Sequence, residues 1–536
     1  MARFMRRRWP RIDGSYGMSM IAHMVARGAA ATPDKTALIH DDDALSYARL
    51  DDLVCRCVAA LKASGIGKGD RVAFLGLNTI DYVILLMAAL RIGAVTVAVN
   101  WRLVPREIAY IIKDAGAHFL LTQAAVLDNA LAVRAEAGLD TILLSDAGFE
   151  DRPTFRQWVA GFAPDQTLAA LEPSDVAVQL YTSGTTGHPK GALLTHGSLT
   201  ASLSQGRKIG EDWASWRASD VSLVAMPLFH IGGTAWVMQT LNGGGTGVIL
   251  AQPDVAAIIA AVQKHAITKM FAVPAVLNMI LGHPDAQGAD FSSMRVLPYG
   301  ASPIPLDVLS RSMQMFPNAQ FVQMYGATET SGTIVYLPPE DHDVAGTARM
   351  AGCGRPFPDV ELRIVGEDGQ DRAAGEVGEV WVRSPLVMAG YHNLADANAA
   401  AFVDGWFRTG DAAYVDADGY VYLFDRVKDM IVSGGENIYP AEVENALHHH
   451  RAVRDCAVIG VPDARWGEAV KAIVVLKPGE QASGPDLIAF ARTHIAGFKC
   501  PKSVDFTDEL PRNPSGKVLK KDLRKLYWGE GVRQIG

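Results

Sequence analysis

The chain has few cysteines: five in 536 residues, with no C-x-x-C pair, and Cys55 and Cys57 standing one residue apart. A disulfide framework or a cysteine-rich zinc site needs paired thiols at set spacings, so both are excluded and a reducing cytoplasm is expected. No apolar run is long enough to span a bilayer. The longest, Tyr82–Val99, is broken by Arg91 and Gly93 and predicts a buried helix followed by a strand. No charge of one sign dominates either, since 50 Lys and Arg against 58 Asp and Glu leave a formal net charge of −8. That balance gives no reason to expect a nucleic-acid partner. Arg3, Arg6, Arg7, Arg8 and Arg11 precede no long apolar stretch, so they do not predict a signal peptide. They could make a weak peripheral contact with anionic lipid headgroups, or simply be solvated. The chain also lacks internal repeats, low-complexity tracts and a Walker loop: Gly516-Lys517 is followed by Val518, outside the G-x-x-x-x-G-K-[ST] pattern.

What is present is concentrated in Tyr181-Thr-Ser-Gly-Thr-Thr-Gly-His-Pro-Lys-Gly191, directly after the apolar run Val176–Tyr181. Glycines let backbone N–H groups turn inward around an anion, hydroxyls add donors, and the lysine adds a mobile positive charge. Such a segment can cradle phosphates, although Ser/Thr/Gly clusters also form ordinary loops.

Length alone suggests about three or four structural units. Helical patterns alternate with β-branched runs such as Arg71–Leu75, Val95–Val99, Phe119–Leu121 and Thr141–Leu144, which predicts layered α/β architecture. After about residue 360 the texture changes to strands separated by tight polar turns, Glu367-Asp-Gly369 and Asp416-Ala-Asp-Gly419, predicting an antiparallel sheet or small barrel. A second α/β pattern follows Asp425-Arg-Val-Lys-Asp429, with strands near Cys456–Val461 and Ala469–Leu476 and a helix near Gly484–Ile495. The expected division is an N-terminal domain over 1–425, a hinge at 426–429 and a small mobile C-terminal α+β domain over 430–536.

The phosphate-loop candidate is followed, in fixed order, by Met226-Pro-Leu-Phe-His230, Tyr299-Gly-Ala-Ser302, Tyr325-Gly-Ala-Thr-Glu-Thr330, Arg408-Thr-Gly-Asp411, Asp425-Arg426-Val-Lys428 and Pro511-Arg-Asn-Pro-Ser-Gly-Lys517. Together these resemble the ATP-dependent adenylate-forming (AMP-binding) superfamily, which includes acyl-CoA synthetases, luciferases and the adenylation domains of peptide synthetases. The resemblance runs from about Thr32 to Arg524. It implies a large N-terminal domain of two α/β sheets plus a small β-barrel, and a mobile C-terminal domain. It also implies roles residue by residue. Thr182, Ser183, Gly184, Thr185, Thr186, Gly187 and Lys190 would hold the β- and γ-phosphates, and Gly300, Ala301 and Ser302 would pack against adenine. Tyr325, beside Gly326, would stack on the base, Thr328 would contact phosphate and Glu329 would bind Mg²⁺. Asp411 and Arg426 would hold the ribose, and Lys517 would serve adenylation. Lys428 would be the hinge residue, and Gly434 and Gly435 could line a channel for the pantetheine arm of CoA.

The chemistry this implies is activation of a carboxylic acid by ATP to an acyl-adenylate, then transfer to CoA. A carboxylate attacking the α-phosphate brings two anions together, so cations near both matter most. In peptide-synthetase domains an aspartate follows the phenylalanine matching Phe229; here His230 takes that place, which disfavours amino acids because a buried ammonium would lack a partner. His230 could orient the carboxylate. The surrounding Leu228, Ile231, Gly232, Gly233, Ala235, Trp236, Val237 and Met238, with Ser331, Gly332, Thr333, Ile334 and Val335, could line an apolar acyl pocket. The Phe-His-Ile-Gly-Gly and Tyr-Gly-Ala-Ser-Pro-Ile-Pro segments resemble bacterial fatty-acyl-CoA ligases, so a medium- to long-chain fatty acid is the first expectation. An aryl or ring-bearing acid, and an acyl carrier protein as acceptor, are the alternatives. Self-association is left open. His448-His449-His450 reads as a solvated helix end, because consecutive helical positions do not face one another.

Overall fold

The computed structural model describes residues 21–536 apart from 183–187, 302, 303, 305, 367, 427–430, 439, 512–517, 519 and 529–536. Among the described residues the strands form four sheets. In the first, Thr141–Leu144, Phe119–Thr122, Arg71–Leu75, Val95–Val99 and Val176–Thr182 run parallel, closed at one edge by the antiparallel strand Lys190–Thr195. In the second, nine strands lie side by side, with a parallel centre from Thr36–His40 through Val221–Val224 to Gln320–Ala327. Parallel strands buried on both faces read as β-branched runs, which is why the sequence discloses them.

The helix Ile80–Ile92 and the strand Val95–Val99 stand where the longest apolar window predicts a helix and then a strand. The helix is buried on every side, so it carries almost no amphipathic pattern. Its one charge near the end, Arg91, is buried but held by Asp51 and by Cys55 Sγ at 2.8 Å. Gly93 ends the helix at φ +74°, a left-handed cap that suits glycine. One continuous hydrophobic core joins this helix to Phe74 of the first sheet, to Leu38 and Val224 of the second, and to Val237 of the helix Ile231–Asn242. The two large sheets therefore share a core.

The third sheet, with strands Glu361–Val365, Gly378–Arg383, Phe402–Val403, Trp406–Val415 and Val421–Arg426, is antiparallel throughout, as the tight turns predict. Its last strand ends at Arg426, and the next described strand, Ile431–Ser433, belongs to a different sheet. That fourth sheet pairs Val453–Asp463 with Gly467–Leu476 over a core containing Ile431, Val458, Val474 and Leu487. The accompanying helix runs Gly484–Arg492, ending earlier than the sequence pattern predicts. Ala496 of this unit lies in the core beneath Val97 and Ile112, with Phe498 packed against it, so the C-terminal unit is docked on the first sheet. No described helix is long and apolar enough to cross a membrane.

Candidate active site

Thr182 and Lys190, which flank the segment 183–189, are register partners of the antiparallel strands Val176–Thr182 and Lys190–Thr195. Ser183, Gly184, Thr185, Thr186 and Gly187 lie outside the described residues, but both stems of the hairpin are placed. At one stem, Thr182 Oγ1 donates a 3.2 Å hydrogen bond to Glu329 Oε1. At the other, Lys190 Nζ stands 5.0 Å from the centre of the Tyr391 ring. Tyr391 OH donates to the same Glu329 Oε1 at 2.9 Å. Backbone bonds fix this join, since Met388 N donates to Glu329 O and His392 N to Gly191 O, both at 2.8 Å. Glu329 sits in the single 3-10 turn Thr328–Thr330 after the strand Gln320–Ala327, and Ser331 reverses the chain at φ +51°. The hairpin and the Thr328-Glu329 motif thus meet through Tyr391, which the motif reading missed.

Tyr325, on the same strand, is buried and donates from its hydroxyl to Asp411 Oδ2 at 2.7 Å. Asp411 is itself buried and faces Arg426 as register partner across the antiparallel sheet. Three motifs far apart in sequence therefore converge. Glycine is required beside them: a Cβ on Gly326 would come within 2.1 Å of Gly332 O, and one on Gly300 within 2.0 Å of Met324 O. Ala301 follows at φ +64° and is exposed; Ser302 lies outside the described residues.

The Met226–His230 loop is pinned by Asn78, whose Nδ2 donates to Met226 O and Leu250 O at 3.0 Å while its Oδ1 accepts from Leu228 N at 2.8 Å. His230 caps the helix Ile231–Asn242, and its Nε2 lies 3.1 Å from Glu436 Oε2. Arg102 Nη1 donates to the other oxygen of Glu436 at 2.5 Å. Burial opposes ionisation of Glu436, but His230, Arg102 and Lys499 outweigh it and hold the carboxyl below its ordinary value. Glu436 follows Gly434 and Gly435 directly, a signal that could have located it. These glycines have φ +61° and +82°. A Cβ on Gly434 would come within 2.7 Å of Trp466, and one on Gly435 would touch Val273 at 3.5 Å, so the turn lies against the large domain.

Further along the same contact, Lys499 Nζ donates to Glu442 at 2.6 Å and to Glu107 at 2.9 Å. All three side chains are at least nine-tenths buried, and Glu442 Oε2 has no hydrogen-bond partner. Lys428 and Lys517 lie outside the described residues, as does the glycine-rich tip.

A cavity of about 140 Å³ adjoins His230 and the Glu329 motif through Ile231, Gly232, Gly332 and Thr333. Ala235 and Trp236 line it as the sequence suggests, whereas Leu228, Val237 and Met238 are buried in the shared core. Ile334 and Val335, expected at the pocket, instead pack in a core with Trp213 and Val380. Of the strand Gly332–Leu337, Gly332 and Thr333 line the cavity. A wider groove of about 830 Å³ on the C-terminal unit is lined by Ile473, Val504, Tyr527 and Pro511, the first residue of the Lys517 motif. Among the described residues no cluster of three metal-ligating side chains exists. His449 stacks on His494 and His450 packs edge-on to Phe490, beyond the helix Pro440–His448. Magnesium commonly takes one or two carboxylates plus substrate phosphates, so a single Glu329 beside a phosphate loop suits that ion.

Comparisons with known proteins agree with this geometry. The family model described as AMP-binding enzyme matches residues 25–392, and that of the AMP-binding enzyme C-terminal domain matches 442–517. The chain is similar to a fatty acid–[acyl-carrier-protein] ligase of Streptomyces coeruleorubidus, 39% identical over 94% of this chain and 95% of the relative. It is 41% identical to a feruloyl-CoA synthase of an Amycolatopsis species, over 94% of this chain and 98% of the relative. Among solved structures, the o-succinylbenzoate CoA synthetase of Bacillus subtilis superposes with TM-score 0.82 at 31% identity, over 94% of this chain and 98% of that one. With both of its domains matched in order, the chain belongs to the AMP-binding enzyme family.

Proposed function

We propose that the protein is an AMP-forming acid–CoA ligase. The observation that carries this reading is the meeting of Thr182 and Tyr391 on Glu329, which brings the phosphate-loop hairpin to the carboxylate expected at Mg²⁺. A substrate carboxylate oxygen attacks the α-phosphorus of ATP, the bond to the bridging oxygen breaks, and pyrophosphate leaves, giving an acyl-adenylate. The CoA thiol, losing its proton, then attacks the acyl carbon and AMP departs. Mg²⁺, when bound at Glu329, would neutralise the departing phosphates. The chain's own part is to hold and orient. Lys190 and the loop hydroxyls bind the β- and γ-phosphates; Tyr325 and Asp411, already hydrogen-bonded, form a rigid seat for the nucleoside. His230 stands beside the acyl cavity, where it can position the carboxylate. Lys517 neutralises the α-phosphate during adenylation, and Lys428 is the position about which the C-terminal domain, 430–536, reorients between the two steps.

Five free, buried cysteines support a reducing compartment, consistent with a cytoplasmic enzyme. The test is direct. Enzyme mixed with ATP, Mg²⁺, CoA and a panel of carboxylic acids should yield acyl-CoA, AMP and pyrophosphate in equal amounts. Without CoA, one pyrophosphate per active site should appear in a burst. Release of ADP and phosphate would remove the reading. Acyl transfer to an acyl carrier protein with none to CoA would favour the alternative acceptor, a reading supported by the carrier-protein ligase among the relatives.

A further inference from the structure

The helix Pro105–Ala115 meets the phosphate segment near one end and the C-terminal unit near the other. Its last turn carries Asp114, whose Oδ2 accepts a 2.6 Å hydrogen bond from Tyr181 OH. Tyr181 stands directly before Thr182, and its hydroxyl also accepts from Gln179 Nε2 at 2.8 Å. Burial, and then the bond to Asp114, push the Tyr181 phenol up, so it keeps its proton and donates. The neighbouring strand lies close over these groups at Gly191, where a Cβ would come within 2.7 Å of Gln179 Nε2 and 3.0 Å of the Tyr181 ring. One turn back along the helix, Tyr110 stacks on His188 with ring centres 4.9 Å apart and planes 24° from parallel. Tyr181 precedes the segment 183–187 and His188 follows it, so one helix holds the described residues on both sides.

Nearer its start the same helix carries Glu107. Its Oε1 accepts from Lys499 Nζ of the C-terminal unit at 2.9 Å, and its Oε2 accepts from Val104 N at 3.2 Å, closing the first turn. Positions 107, 110 and 114 are spaced by three and then four residues, so their side chains leave one face of the helix. At 1.5 Å per residue, Glu107 and Asp114 stand about 10 Å apart along the axis. The inner face is buried through Ile108, Ile111 and Ile112 in the core that also takes Ala496 of the C-terminal unit. Tyr110, Tyr181 and Phe498 pack against that core. Close-packed interiors transmit strain, so a shift of the helix at one contact is felt at the other.

We infer that this helix couples docking of the C-terminal unit to the grip on the nucleotide phosphates, with Glu107, Tyr110 and Asp114 as positioning residues. Lifting the unit away takes Lys499 from Glu107 and Ala496 from the core under Ile112. The helix that aligns Tyr181 and His188 is then held by the first sheet alone. Coupling of this kind is reciprocal, so phosphate occupancy shifts docking by the same factor. The inference rests on the acid–CoA ligase reading and deepens it by giving the two half-reactions a physical link.

The experiment is a double-mutant cycle on the full-length enzyme, reading the KM for ATP in pyrophosphate release without CoA. Glu107→Gln keeps the shape and weakens the pair with Lys499; Asp114→Asn and Tyr181→Phe each weaken the bond at the phosphate end. Sites about 10 Å apart with no shared partner normally act additively. Coupling through the helix predicts otherwise. Glu107→Gln should shift the KM for ATP about fivefold in the wild-type background, and by less than about twofold when Asp114→Asn or Tyr181→Phe is already present. Domain movement that bypassed the helix would give the same shift in all three backgrounds, and that result overturns the inference. So does an unchanged KM for ATP in Glu107→Gln. In both cases wild-type turnover leaves the ligase reading intact. Failure of the wild type to release pyrophosphate with any acid of a wide panel overturns both.

Discussion

His230 Nε2 lies 3.1 Å from Glu436 Oε2, so the histidine beside the acyl cavity is held by the C-terminal unit. Arg102 grips the same carboxylate from the large domain. A residue expected to serve the acid is therefore tied, in this arrangement, to the element that begins with Gly434 and Gly435. A rotation of the C-terminal unit away from the large domain would first break this contact.

Glu436→Gln keeps the shape and removes the charge that makes both bonds strong. Acyl-CoA formation from supplied acyl-adenylate should fall about tenfold, on the order of 1.4 kcal/mol, while pyrophosphate release changes less than threefold. Single-turnover measurement of each half-reaction checks this; equal losses in both would separate Glu436 from the thiol step.

Glu329→Gln should lower the rate of pyrophosphate release at least a hundredfold and raise the Mg²⁺ concentration needed for half-maximal rate. An amide is a poor ligand for a hard cation, and one well-placed charge at the reacting phosphates is worth about 3 kcal/mol. Titration with Mg²⁺ at saturating ATP is the measurement. An unchanged metal dependence would mean that Glu329 only anchors Thr182 and Tyr391.

Lys517→Ala should slow acyl-adenylate formation about a hundred- to thousandfold and spare thioesterification of supplied adenylate. Lys428→Pro should do the reverse, because proline fixes φ where the backbone would need to turn. The two variants assayed side by side, each on both half-reactions, give opposite patterns if one domain serves both steps.

Glu442 supplies a pH dependence of stability. Its burial and the neighbouring Glu107 push the carboxyl up from 4.5 to about 7, against the pull of Lys499. Burial likewise opposes the charge on Lys499, yet Glu442 and Glu107 outweigh it and raise its affinity for a proton. Between pH 4.5 and 7 the folded protein holds a proton at Glu442 that the unfolded chain has released. Stability therefore declines as pH rises through that window. Glu442→Gln cannot titrate, so its Tm should vary less than the wild type's between pH 5 and 7.5. Parallel Tm curves for the two proteins would rule out Glu442 as the source.

Much of this was legible in one dimension because the relevant signals are local. The alternation of Arg71–Leu75, Val95–Val99 and Phe119–Leu121 with helices declares parallel sheets, since strands buried on both faces must be apolar throughout. The buried helix Ile80–Ile92 was visible as an unpatterned apolar run. The order of the motifs, from the Thr182 loop to Lys517, fixed the family. Less legible were Tyr391, Arg102, Glu436 and Asn78, whose contacts span separations of 62 to 334 positions. Ile334 and Val335 misled for a related reason. They follow the Glu329 motif closely, but Val335 is paired with Tyr325 and Pro356 in the sheet, and of this strand Gly332 and Thr333 line the cavity.

By itself the amino-acid sequence determined the layered α/β class and the ordered motifs that mark the AMP-binding family, because these depend on local periodicity and on short motifs. The tertiary structure alone decided what surrounds them. It set a cavity beside the Glu329 motif lined by Trp213, Trp216, Trp236 and Phe271. It also joined His230 to Glu436 across a separation of 206 positions. Volume and pairing are properties of surfaces brought together by folding, and no spacing along the chain encodes them directly.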